Sequence, residues 1–380
     1  MTTNRLQRLH EAGQSVWLDY IDRAMLTDGS LARRIREDAL MGMTSNPTIF
    51  EKALAEGHEY DEQIRSAEGD PSAWQLFELV ETDDVRTACD VFAGVYRDTK
   101  RVDGYVSIEV SPGVAHDTDA TVEEGRRLWA TVGRPNVMVK VPGTDAGVEA
   151  VRRLIADGVN VNVTLLFSID AHARVIESYL GGLEDRLAAG HSVEHVASVA
   201  SFFVSRVDTE VDKRLDAIAA SSNEALRDRI LAMRGRAAVA NARLAYRLFT
   251  RKFAGARWEA LAARGARVQR PLWASTGTKN PAYSDVLYVE SLIGPDTVNT
   301  MPPATIEAFR DHGEVARTVD AEWTAAEQLF HDLEQSGVSM KDVTDKLLVD
   351  GLASFQKSFD TLVAGLERKA AELGKSLAGA

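Results

Sequence analysis

Short runs of strand character punctuate this chain, and long stretches with helical spacing separate them. The runs are 15–21 (SVWLDYI), 41–46 (MGMTSN), 104–110 (GYVSIEV), 136–142 (NVMVKVP), 160–167 (NVNVTLLF), 196–204 (VASVASFFV), 270–276 (RPLWAST) and 296–302 (DTVNTMP). The stretch after the fourth run shows the helical pattern well. Val148, Val151, Leu154 and Ile155 recur at three- and four-residue spacing, Thr144 or Asp145 can cap the start, and Gly158 can supply a left-handed stop. Eight such runs alternating with helices predict an α/β fold, a (β/α)8 barrel of TIM type. Two regions exceed a minimal barrel: 208–265 is Ala/Arg-rich and helical, and 303–380 is helical with breaks near Gly313 and Gly337. Both are expected to be packing helices outside the barrel. No low-complexity linker or composition break interrupts the chain, which predicts one domain over 1–380.

A barrel strand is dry on both sides, so it should read almost wholly apolar. Four of these runs do not. Val16, Leu18 and Tyr20 alternate with Trp17 and Asp19; Val106, Ile108 and Val110 alternate with Tyr105, Ser107 and Glu109. Val137, Val139 and Val141 alternate with Met138, Lys140 and Pro142; Val161, Val163 and Leu165 alternate with Asn160, Asn162 and Thr164. One parity packs on helices. The other is predicted to send Asp19, Glu109, Lys140, Asn162 and Thr164 into the barrel near the C-terminal strand ends, where barrel enzymes hold their sites. Any one of these could be a helix cap or a buried ion pair. Several on one parity, on different strands and at one end, are hard to explain as packing, because unpaired buried charge costs several kcal/mol. In such a site desolvation disfavours an ammonium, and a neutral amine attacks a ketone to form an imine, an electron sink for carbon–carbon cleavage. Nearby carboxylates can move the protons.

Composition narrows the partners. The net charge of −13 argues against a nucleic-acid surface, so an anionic substrate needs a local basic cluster. Hydrophobic residues at 45% allow a large core, and no apolar run approaches a membrane span. The N-terminus lacks a signal-peptide core, and the one cysteine, Cys89, excludes an intrachain disulfide and reads as a small buried helix residue. A cytoplasmic location is expected, as a monomer or homodimer.

The motifs then match a known family. GMTSNPTIF at 42–50 resembles the first transaldolase signature, and VMVKVPGTDAGVEA at 137–150 resembles the second. NVTLLFS at 162–168 resembles the family's fifth-strand segment, and the likeness runs from about Ser15 to Pro302 in matching order. It implies a barrel circularly permuted relative to other class I aldolases. It also implies transfer of a dihydroxyacetone unit from sedoheptulose 7-phosphate to glyceraldehyde 3-phosphate in the non-oxidative pentose phosphate pathway, with no metal or cofactor. By this resemblance Lys140 carries the Schiff base, and Asp19 takes the proton from the C4 hydroxyl. Glu109 and Thr164 hold a catalytic water. Asn46 and Asn162 hydrogen-bond the dihydroxyacetone moiety, Ser201 contacts a sugar hydroxyl, and Arg206 binds phosphate; Phe203 shares inward parity with Ser201 and so should face the Schiff base. The family often has Ser-Phe-Arg after the seventh run; this chain has Ser275-Thr-Gly-Thr-Lys279, which makes Lys279 the displaced phosphate cation.

Two alternatives stand beside this reading: an aldolase that releases free dihydroxyacetone, and a barrel without catalysis. The complete set Asp19, Glu109 and Lys140 argues against the second. His191-Ser-Val-Glu194-His195 fits a zinc-peptidase pattern, but that chemistry needs both histidines on one helix face, and this segment leads straight into the sixth run.

Overall fold

The computed structural model describes residues 4–378. Its eight strands are β1 (Gln14–Asp19), β2 (Leu40–Thr44), β3 (Tyr105–Glu109), β4 (Val137–Pro142), β5 (Val161–Leu166), β6 (Ser198–Phe203), β7 (Arg270–Ala274) and β8 (Thr297–Met301). They close in sequence order into one barrel, all pairs parallel, with β8 returning to β1. Helices separate consecutive strands, so the expected (β/α)8 architecture is present.

Strand parity sorts the core into two clusters. Val16, Leu18, Val106, Ile108, Val137, Val139, Val161 and Val163 belong to the large cluster under the surrounding helices. Trp17, Tyr105, Met138, Val199, Leu272 and Val298 form a second cluster that fills the barrel. Trp17 can cross the interior because its β2 partner is Gly42, where a Cβ would approach the indole to 2.6 Å. Below this layer, at the N-terminal end, Arg270 donates to Asp103 (2.8 Å) and Ser15 (2.9 Å), and Trp17 Nε1 donates to Asp103 (3.1 Å). The bottom is therefore plugged by paired polar groups, which leaves the opposite end to admit a ligand.

The helix Asp145–Asp157 follows β4 as predicted. Thr144 Oγ1 accepts from Gly147 N (2.9 Å), and Gly158 ends the helix at φ 90°. The signature glycine at 147 has a steric cause: a Cβ there would meet the Pro142 carbonyl oxygen at 2.0 Å. Between β6 and β7 lie the helices Ser205–Ala220, Glu224–Leu231, Ala237–Lys252 and Ala256–Ala262. After β8 come Pro303–His312, Trp323–Gln335 and the 33-residue Met340–Glu372, with breaks at Gly313 and Gly337. The last helix departs from the expectation of a packing element only, because it reaches the cavity mouth. Among the described residues no helix is long and apolar enough to cross a membrane. His191–Glu194–His195 lies in turn and coil, not on a helix, and the described residues contain no group of three metal-ligating side chains.

Candidate active site

The C-terminal strand ends surround a cavity of about 460 Å³. Its floor is charged. Lys140, on β4, is only 8% exposed; its Nζ donates to Glu109 Oε2 at 3.0 Å and to the Ser45 carbonyl at 3.2 Å. The pairing follows from register, since Glu109 and Lys140 are direct partners across β3 and β4. Asp19, at the end of β1, accepts from Thr44 Oγ1 at 2.8 Å, and Thr44 also meets Thr300 Oγ1 at 2.7 Å. Burial pushes the Asp19 carboxyl above its usual range, and the charges of Lys140, Lys279 and Arg206 with the Thr44 hydrogen bond pull against that rise. Burial likewise raises Glu109, opposed by Lys140 and reinforced by Asp19. Thr164 completes the floor from β5.

The next residue, Leu165, has φ 59°, in the left-handed region, and the β5–β6 register slips between Val163 and Leu166. A leucine there is strained by about 1–3 kcal/mol. The distortion carries Leu165 off the strand alternation and onto the cavity wall.

Asn46 lies on the wall, and its side chain accepts from Ile49 N (3.2 Å) at the start of the helix Pro47–Glu56. Ser201 and Phe203 project from β6, and Arg206 stands over the Phe203 ring at 5.1 Å. Burial makes the Arg206 guanidinium less basic, and Asp19 offsets this. Ser275, itself at φ 56°, meets Ser205 Oγ at 2.9 Å. Lys279 is exposed at the rim. Asn162 lies just beneath the cavity, fully buried: its Nδ2 donates to Ser107 Oγ (3.0 Å), and its Oδ1 accepts from Ser201 Oγ (2.6 Å). Of the sequence-derived residues, ten line one cavity and Asn162 supports its floor.

Sequence reasoning missed four groups. Thr44 and Thr300 orient Asp19, and Thr44 was readable, since it shares parity with Gly42 in the second run. Ser45 offers its carbonyl to Lys140. Gly351, Ser354 and Phe355 of the C-terminal helix line the cavity, and no local signal marks them. Glu81, on the helix Ala73–Asp98, is 1% exposed with one carboxyl oxygen unpartnered; burial first, then the charge of Glu109, raises its carboxyl well above the usual range.

A closed (β/α)8 barrel with a buried lysine–carboxylate pair on the floor of its C-terminal cavity and cations at the rim has the layout of a barrel enzyme. Residues 16–366 match the family described as Transaldolase/Fructose-6-phosphate aldolase. The chain is 45% identical to Transaldolase 2 of Nostoc sp., over 97% of this chain and 98% of that one. It is 47% identical to a transaldolase of Mycobacterium ulcerans and 48% identical to one of Thermobifida fusca, each over 97% of this chain and 98% of the relative. The chain belongs to the transaldolase/fructose-6-phosphate aldolase family.

Proposed function

We propose that this enzyme is a transaldolase, moving a dihydroxyacetone unit from sedoheptulose 7-phosphate to glyceraldehyde 3-phosphate and yielding erythrose 4-phosphate and fructose 6-phosphate. The observation that carries the reading is the buried Lys140 amine, held 3.0 Å from Glu109 at the floor of a cavity whose rim carries Arg206 and Lys279. The Lys140 nitrogen attacks the C2 carbonyl of the donor ketose, and water leaves as the imine forms. Glu109 and Thr164 hold the water that relays protons in this step. Asp19 then takes the proton of the C4 hydroxyl. The C3–C4 bond breaks, its electron pair enters the imine, and the aldose departs from an enamine still bound to Lys140. Attack of the enamine on an incoming aldehyde, followed by hydrolysis, completes transfer. Asn46 and Ser201 orient the dihydroxyacetone unit, Asn162 acts through Ser201 from beneath the floor, and Arg206 and Lys279 bind phosphate. The buried, unpaired Cys89 fits a cytoplasmic enzyme.

Borohydride reduction with fructose 6-phosphate, followed by mass mapping, tests this. The expected product is a reduced adduct at Lys140, absent in Lys140→Ala, which should fold but not turn over. Labelling of another lysine would reject the assignment.

A further inference from the structure

Gly351, Ser354 and Phe355 occupy one face of the helix Met340–Glu372, at the spacing that stacks side chains on adjacent turns. All three line the cavity that holds Lys140. Phe355 is half-buried, yet among the described residues it packs with neither apolar cluster. Leu348, Leu352 and Phe359 of the same helix do pack on the outer core. A phenyl ring left half-wet forfeits much of the free energy of burying it. A ring that lines a cavity in this way is positioned to bury its surface against a ligand.

The helix meets the cavity beside Arg206. A Cβ added at Gly351 would lie 3.7 Å from Arg206 Nη1 and 3.1 Å from Leu165 Cδ2, so the helix backbone comes close to both side chains here. The hydrogen bond from Thr48 Oγ1 to Ser358 Oγ (2.8 Å) fastens the helix to the segment after β2. A ketose joined at C2 to Lys140 keeps its dihydroxyacetone half on the floor. Its remaining carbons run toward Arg206, and so toward this helix face.

We infer that Phe355 and Ser354 form a subsite for the aldose half of the sugar phosphate, the half that leaves with one substrate and arrives with the next. This rests on the reading of Lys140 given above. The C–H face of the aldose chain packs on the Phe355 ring. Ser354, exposed at the mouth, offers a hydroxyl to a sugar hydroxyl or phosphate oxygen. Phe355 is therefore a specificity-determining residue: it reads aldose length and shape without touching the reacting carbon.

The test compares wild type, Phe355→Ala, Ser354→Ala and Val349→Ala. Val349 is 66% exposed and lines no part of the cavity. Steady-state kinetics are measured with fructose 6-phosphate and erythrose 4-phosphate, alongside borohydride trapping of dihydroxyacetone, which lacks the aldose half. Phe355→Ala should raise the KM for erythrose 4-phosphate roughly tenfold, as expected for losing part of an aromatic contact. The concentration of dihydroxyacetone for half-maximal trapping should move far less. Ser354→Ala should raise the same KM by roughly two- to fivefold, the scale of one hydrogen bond. Val349→Ala should match wild type. An aldose KM unmoved in both Phe355→Ala and Ser354→Ala overturns the inference, as does a loss of dihydroxyacetone trapping as large as the loss of aldose binding. Absence of trapping at Lys140 in wild type overturns the reading of the site together with the inference; normal trapping with an unmoved aldose KM overturns the inference alone.

Discussion

Phe203 packs 5.2 Å from Phe167 and under the Arg206 guanidinium, on the wall of the cavity that holds Lys140. A phenyl ring donates no proton and excludes water, which protects an enamine until an aldehyde arrives. Phe203→Tyr adds a hydroxyl able to donate a proton or activate water. The variant should release more free dihydroxyacetone from fructose 6-phosphate and transfer less. Glyceraldehyde 3-phosphate formation with and without erythrose 4-phosphate reads this. Rapid acceptor-independent cleavage by wild type would instead favour the aldolase activity. Glu81 gives a second prediction, on stability. Its carboxyl is raised in the folded state, so its favourable contribution is complete below its unfolded value and is lost as pH rises through the folded one. Glu81→Gln cannot ionise. Its thermal midpoint should exceed that of wild type, by a margin that widens from mildly acidic to alkaline pH. A constant margin would show that Glu81 does not titrate in that window.

The helix after β4 starts with a cap that does two jobs: Thr144 Oγ1 accepts from Gly147 N and donates to the Ala115 carbonyl. Thr144→Ala removes both bonds next to the lysine strand. Urea denaturation should show a loss of about 1–2 kcal/mol, with Lys140 still trapping substrate; an unchanged midpoint would mean the cap is dispensable. This element was legible in the sequence because capping, apolar spacing and the stop at Gly158 all agree. The eight strands were legible for a similar reason, since parallel strands packed under helices keep one parity apolar, and the charged exceptions on the other parity marked the floor. Strand ends were less so: Tyr20, Ile21, Ser45 and Asn46 sit in runs that read as strand but lie past β1 and β2, where the chain turns over the mouth. The kink at Leu165 was not foreseen: alternation holds from Asn160 to Leu165, and the apolar run Leu165-Leu166-Phe167 that follows reads equally well as a strand buried on both faces. The approach of 351–355 to the cavity was invisible too. It joins residues far apart in sequence, and the apolar spacing of that helix reports only its packing face.

At the scale of the molecule, a chain of net charge −13 gathers Lys140, Arg206 and Lys279 around one cavity. Arg206→Ala should weaken binding of phosphorylated ketoses by roughly 1.5–3 kcal/mol, the worth of a charge-assisted hydrogen bond. An unchanged KM for fructose 6-phosphate in Lys279→Ala would remove Lys279 from the site. The imine is the electron sink in this mechanism, so exhaustive chelation should leave activity intact. Loss restored by a divalent ion would reject it. The C-terminal helix also gives the molecule an order in time. Translation runs from the N-terminus, so the strands carrying Asp19, Glu109 and Lys140 leave the ribosome long before Gly351 and Phe355. Without that helix the cavity that holds the amine would lack the wall of Gly351, Ser354 and Phe355. The last wall comes from the end of the chain, where Ser358 accepts from Thr48, so the part of the cavity proposed to discriminate among aldoses is the last to be synthesised.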